Sequence, residues 1–297
     1  YNIFNMITAS DFIHPEDAAA LRQLESIPGF PALVKKILSL GFEELQYGLN
    51  MATAIRLSPT QLPNLYNHLP PICKKLGIQE PEFYLQMNPM PNAFTFGDTR
   101  IFITITSGLV EMMEGEELDA VIAHECGHIV CHHVLYHSIA QIIFSGAASL
   151  GILGHLAMPI QLALLYWSRK SELSCDRCGS VITSPEVITR VMARLSGGPR
   201  SITQEINFEE WARQADKYDE IKNENLWNKS LQIYAIAKED HPFAAVRVRE
   251  ILKWGQSPQY QNLMENIKWE AYSRKCPNCG LLVHDDWTYC KYCGTKL

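Results

Sequence analysis

Positive charge is not in excess in this sequence: 26 Lys and Arg face 32 Asp and Glu, a net charge of -6 with His neutral. Nucleic-acid binding usually shows a basic face, so nucleic acid is not expected as the main partner. No internal repeat and no low-complexity tract is present, which removes repeat arrays from consideration. Residues 1–20 lack a basic start followed by an apolar run, and Asp11, Glu16 and Asp17 interrupt the stretch, so no secretory leader is expected there. Between Glu125 and Arg169 there is no Asp, Glu, Lys or Arg. A single membrane span needs about 20 apolar residues. Pro159, with Gly151 and Gly154, divides this run into shorter pieces. A buried helical hairpin is the first expectation, with membrane contact through residues 138–167 as the alternative.

What is present begins with nine cysteines: Cys73, Cys126, Cys131, Cys175, Cys178, Cys276, Cys279, Cys290 and Cys293. The odd count in a chain this long argues against a disulfide scaffold. Four of them fall in two CxxC pairs, the pattern of thiolate metal ligands in a reducing compartment. A cytoplasmic protein is the expectation, at the cytoplasmic face of a membrane if 138–167 touches one. With 297 residues, 47% of them hydrophobic and 20% charged, the chain suffices for one large domain and a small module.

Residues 15–76 read as helical throughout, punctuated by Pro28-Gly29, Gly41 and Pro70-Pro71. From 82 to 105 the period changes to the alternating, β-branched and aromatic pattern of a small antiparallel sheet. Helical character returns at Ser107 and runs through the next motif, and further helices are expected at 203–220, 226–238, 243–254 and 259–270. The fold class is therefore α+β, mostly helical. The expected division is a main domain at 1–272, with 1–76 its helical N-terminal part, and a small module at 273–297.

His124-Glu125-Cys126-Gly127-His128 is an HExxH sequence. On a helix, residues four apart share a face, so both imidazoles can reach one ion. Glu125 lies one step round and can take a proton from water activated by the metal without binding it. Catalytic zinc usually takes three protein ligands and keeps one position open. The metzincin spacing would need Gly at position 131 and His at position 134, where this chain has Cys131 and Val134. Downstream carboxylates remain, among them Glu172 and Asp176, four apart on an expected helix. Taken alone, that pair also fits a solvated helix face.

Together these residues resemble the M48 metallopeptidases, the group of CAAX-prenyl endopeptidases and HtpX-type proteases. Asn92-Ala93-Phe94 resembles the family's strand before the catalytic helix, and Gly108-Leu109 and Glu117-Leu118 its approach to HExxH. Ser168-Arg169 through Glu172 and Asp176 resembles its SRxxE segment, and His241-Pro242 with Arg247 its late HP…R element. The resemblance implies a gluzincin-like fold and hydrolysis of peptide bonds in protein or peptide substrates. It implies Glu172 as third zinc ligand, Asp176 as the carboxylate supporting a ligand imidazole, and His241 at the active site, stabilising an oxyanion or capping the metal. Substrate is expected to pair with the sheet edge at Asn92, Ala93 and Phe94. Cys175 and Cys178 stand where small apolar residues are usual in the family and are expected to be buried packing residues, as is Cys126. His133 also matches a family position and is expected to be structural.

Cys276-Pro-Asn-Cys279 and Cys290-Lys-Tyr-Cys293 resemble a zinc ribbon, four thiolates closing a structural zinc site. The segment is too short for its own hydrophobic core, so metal would supply its folding energy. Two zinc ions are thus expected, one catalytic and one structural, with the ribbon as a surface for protein docking. The alternative to a protease is a non-catalytic zinc scaffold that binds partners through the ribbon. Glu125 discriminates, because a scaffold has no need of a carboxylate beside two ligand histidines.

Overall fold

The computed structural model describes residues 7–144, 158–224, 244–271, 273–284 and 287–297. Its helices surround a four-stranded sheet of β1 (Ile55–Arg56), β2 (Glu82–Gln86), β3 (Ala93–Phe96) and β4 (Phe102–Thr106), in the order β1-β2-β4-β3. The sheet is mixed and not wholly antiparallel: β2 and β4 run parallel, while β1–β2 and β3–β4 are antiparallel. Topology forces this. β4 forms a hairpin with β3 on one side and then presents its other edge to β2, with the same direction. β1 was not expected, because two residues are too few to show a period of two. It forms by pairing with Tyr84 and Leu85 on β2.

Both faces of the sheet are buried, so β4 reads as a continuous apolar and Thr run. Phe83, Ile103 and Ile105 face one core, together with Leu118, Val121 and Ile122 of the helix Glu117–Val130. Tyr84 and Phe102 face a second core, built from Leu24, Phe30 and Ile37 with Ile139, Ile143, Leu164 and Trp167. The helices Val134–Phe144 and Met158–Ile182 carry the described parts of the apolar stretch 138–167, and they contribute six buried apolar side chains to that second core besides Trp167. The connecting residues 145–157 lie outside the described residues, and no described helix is long and apolar enough to cross a membrane.

The HExxH helix and the long helix Met158–Ile182 cross at small residues. A Cβ on Gly127 would stand 3.0 Å from Cys178 Cβ and 3.1 Å from the Cys175 backbone, and one on Gly179 would stand 3.0 Å from Ala120 O. Cys126, Cys175 and Cys178 are fully buried, as expected of packing residues. Close approach at this seam brings the two helices' polar side chains together. The expected continuous helix from Ser107 is broken after Met112, where Gly115 takes φ 57.

The N-terminal helix Pro15–Glu25 is welded to the long helix. Buried Asp17 accepts hydrogen bonds from Trp167 Nε1 at 3.1 Å and from Ser174 Oγ, and lies 3.0 Å from His133 Nε2. His133 is accordingly a structural histidine. Helices at Phe208–Glu224, Ala244–Gly255 and Pro258–Ala271 follow, and the expected helix at 226–238 lies outside the described residues.

Candidate metal centre and active site

His124 and His128 sit one turn apart on the HExxH helix, both buried, with ring centroids 5.3 Å apart. From the facing helix, Glu172 presents one oxygen to each imidazole. His124 Nε2 is 3.3 Å from Oε2, and His128 Nε2 is 3.5 Å from Oε1. Two donors about 2.0–2.1 Å from a tetrahedral zinc stand roughly 3.3–3.4 Å apart, the separation of each imidazole–carboxylate pair here. Asp176, one turn beyond Glu172, accepts a hydrogen bond from His124 Nδ1 at 3.0 Å. That bond fixes the tautomer and leaves the Nε2 lone pair available to a metal.

Arg247, on the helix Ala244–Gly255, closes the far side. It donates Nε to Asp176 Oδ2 at 2.7 Å and Nη2 to Oδ1 at 2.6 Å, and its Nη1 is 3.1 Å from Glu172 Oε2. Burial alone would raise both carboxyls, but Arg247 and then the imidazoles hold Glu172 well below the usual carboxylate range. Asp176 is lowered by Arg247 and His124 in the same way. Burial pulls the His124 imidazole down, yet Asp176 and Glu172 outweigh it and push it up to about 10. The pocket therefore favours positive charge at Nε2, a requirement that a bound cation meets.

Glu125 is buried beside His124, and its Oε2 accepts a 2.6 Å hydrogen bond from Thr95 Oγ1 on β3. That bond places the sheet's edge strand next to Glu125: β3 pairs with β4 alone among the described strands, and it begins at Ala93 and Phe94, just after Asn92. His241 lies outside the described residues.

Two further donors crowd the centre. Cys175 has its sulfur within 4.8 Å of ligand atoms on His124 and His128, and His137 has a nitrogen within the same distance of His128 and Glu172. Burial pushes the Cys175 thiol well above the ordinary range. The sequence reading missed Thr95, His137 and Asp17. Thr95 lay within a strand signal whose only evident role was backbone pairing. Asp17 looked like an ordinary first-turn acid of a helix.

In the C-terminal module, β5 (Ser273–Lys275) pairs with β6 (Leu282–His284). All four ligand sulfurs lie within 4.8 Å of one another, with Cys276–Cys293 at 3.6 Å and Cys279–Cys290 at 3.7 Å. A disulfide would need about 2.05 Å. Sulfurs about 2.3 Å from a tetrahedral zinc stand roughly 3.8 Å apart, so the geometry fits a ZnS4 site. Gly280 and Gly294, with φ near 73 and 74, donate back to Cys276 O and Cys290 O and close each knuckle. Among the described residues the module's own buried core is Cys276, Val283 and Cys290, too few to fold it without a staple.

Comparison with known proteins finds a known domain over each of the two regions. Residues 60–255 match the model of peptidase family M48, and residues 273–297 match a zinc-ribbon domain. The chain is 32% identical over 278 residues to the plastoglobule-localized metallopeptidase 48, chloroplastic, of Arabidopsis thaliana, covering 92% of this chain and 80% of that protein. It is 25% identical over 211 residues to a protease HtpX homolog of Tropheryma whipplei (strain Twist), covering 57% of this chain and 70% of that protein. It is 31% identical over 127 residues to a protease HtpX homolog of Pelotomaculum thermopropionicum, covering 40% of this chain and 45% of that protein. No solved structure matches. The chain belongs to peptidase family M48 and is a zinc metalloprotease with a C-terminal zinc ribbon.

Proposed function

We propose that the chain is an endopeptidase in which His124, His128 and Glu172 hold one zinc ion, Glu125 is the general base, and Cys276, Cys279, Cys290 and Cys293 hold a second, structural ion. The observation that carries this reading is the convergence of the Glu172 carboxylate on both imidazole Nε2 atoms, with Asp176 occupying the Nδ1 proton of His124. When bound, zinc supplies a Lewis acid that polarises a carbonyl and acidifies water. Thr95 holds Glu125 Oε2, so Oε1 is the oxygen that receives the proton of the attacking water and later delivers it to the leaving amine. A substrate backbone pairing with β3 at Asn92, Ala93 and Phe94 would lie alongside Glu125, with affinity tolerant of side-chain identity. His241 is assigned the developing oxyanion, by resemblance to the family. The family membership disfavours the alternative of a non-catalytic scaffold, and docking of protein substrates is the role left to the ribbon. The five cysteines outside the ribbon are free and buried, which supports a reducing, cytoplasmic setting.

Three variants test the assignment. Glu125→Gln should abolish peptidase activity and keep both zinc ions. Glu172→Ala should lose the labile ion, and Asp176→Ala should weaken it by roughly 10–100-fold. Substantial activity in Glu125→Gln, or unchanged zinc affinity in Glu172→Ala, would remove that residue from its role.

A further inference from the structure

Two methionines stand just before the strand assigned to substrate. Met87 is 84% exposed and Met90 70%, the most exposed large apolar side chains among the described residues. Both lie in residues 87–92, which lead straight into β3. We propose that Met87 and Met90 form an apolar subsite that selects peptide substrates carrying a bulky apolar side chain a few residues from the bond cut. This rests on the reading of β3 as the substrate edge beside Glu125.

The register of the sheet shows why backbone pairing alone cannot extend to this loop. Thr106 N donates to Asn92 O at 3.0 Å, so Asn92 turns its backbone toward β4. Alternation along an antiparallel pair turns Phe94 the same way and sends the N–H and C=O of Ala93 and Thr95 to the other edge. Substrate pairing therefore falls on Ala93 and Thr95, and Thr95 is the residue whose hydroxyl bonds to Glu125. Two positions before Ala93 the outward residue is Pro91, which has no N–H to donate. The ladder stops there. Ala93 and Thr95 are each only 4% exposed, so the methionine loop is the part of this path that solvent reaches. Recognition beyond the ladder has to come from side chains, and the large apolar ones exposed there are Met87 and Met90.

The loop is fixed before a substrate arrives. Asn88 O accepts from Gly108 N at 2.9 Å and from Ser107 Oγ at 3.2 Å, and Asn88 Oδ1 accepts from Met90 N at 2.9 Å. Thr106 Oγ1 shares its proton between Met90 O at 2.9 Å and Asn92 O at 3.1 Å, which ties Met90 to the start of β3. A Cβ on Gly108 would stand 2.2 Å from Pro89 O, so the loop lies directly on that glycine. A loop already held in place loses little backbone entropy on binding, and apolar side chains left in water gain when covered. Methionine is unbranched and polarizable, so it fits apolar groups of different shapes. Met90 precedes Thr95 by five positions, and a strand advances about 3.3 Å per residue, so a chain paired to β3 meets the loop about three to five residues from the bond cut.

The test uses internally quenched peptides with one common cleavage sequence and the zinc-loaded full chain. Each peptide carries Leu or Ser at the third, fourth or fifth residue from the bond, in one series on each side. Wild type should favour Leu by about tenfold in kcat/KM on one side only, and the difference should lie in KM. The double variant Met87→Ser/Met90→Ser should lower that Leu-to-Ser ratio below about twofold, and Met87→Leu/Met90→Leu should keep it. The ratio is read within one variant, so a change in folding cancels. A ratio within twofold of one in wild type at every position would overturn the proposal, as would a ratio kept in the Ser variant. A kept ratio with lost binding to phosphatidylcholine vesicles would assign the two side chains to a lipid surface instead, and one with loss of an oligomer in sedimentation would assign them to a second copy of the chain. N-methylation of the peptide's backbone amides, one at a time and leaving the scissile one intact, tests the edge reading separately. Insensitivity of wild type at every position would sink β3 as the substrate strand, whatever the Leu-to-Ser ratios.

Discussion

Arg247 is a cation that two buried carboxylates share. It makes two hydrogen bonds to Asp176 and an ion pair with Glu172, and all three side chains are buried. Replacing it with Met keeps length and helix propensity but leaves both acids without their guanidinium. Removing one partner of a buried pair costs about 3–5 kcal/mol. For a chain of this size each kcal/mol shifts the melting temperature by about 2–4 °C, so zinc-free Arg247→Met should melt roughly 6–20 °C below wild type. Zinc held, as proposed, by His124, His128 and Glu172 would bring two positive charges to the same carboxylates. The deficit should therefore be smaller in the zinc-loaded variant. Arg247→Lys should fall between, because an ammonium cannot grip Asp176 with two parallel bonds. Thermal unfolding followed by circular dichroism, with chelator and with zinc, reads both differences. The chelator also strips the ribbon, but it does so equally in each variant. A zinc-free variant melting within about 2 °C of wild type would refute the shared-cation account, and an equal deficit with and without zinc would refute the coupling to the metal.

Three other outcomes are expected. Thr95→Val removes a hydrogen bond to the Glu125 carboxylate, worth about 1.5–3 kcal/mol, and should lower kcat about tenfold or more with zinc content unchanged; an unchanged kcat would show that Thr95 does not position Glu125 for the reaction. Gly127→Ala puts a Cβ 3.0–3.1 Å from Cys178 and the Cys175 backbone, so denaturant unfolding should show a loss of about 1–3 kcal/mol, and a neutral result would mean that the helix seam yields freely. Asp17→Ala leaves Trp167 and Ser174 without their shared acceptor, removes the carboxylate beside His133 Nε2, and should cost roughly 3 kcal/mol in the same assay, whereas a cost below about 0.5 kcal/mol would show that the helix Pro15–Glu25 is not locked through this carboxylate.

Some of this protein was decided by local geometry and could be read from sequence. Four-residue spacing puts His124 and His128 on one helix face wherever that helix goes, and a CxxC-Gly knuckle brings two sulfurs together within a single turn. The burial of Cys126, Cys175 and Cys178 followed from their small size at a seam of small residues. What sequence could not decide were the partners that meet only when distant segments pack. Helical spacing put Glu172 and Asp176 on one side of their helix. Only the crossing at Gly127 and Cys175 turned that side toward the histidines. Arg247 reaches those acids across 71 positions from Asp176, Thr95 reaches Glu125 across 30, and Asp17 reaches Ser174 across 157. The sheet makes the same point. Its strands announced themselves by residue type, but the parallel pairing of β2 with β4 depends on which edge remained after the β3–β4 hairpin formed. Backbone periodicity is a property of neighbours in the chain, whereas a hydrogen bond between helices depends on the packing of the whole core. The ligand-bearing helix and the thiolate knuckles were therefore legible in the sequence, and the charge network that surrounds the metal centre was set by the tertiary structure alone.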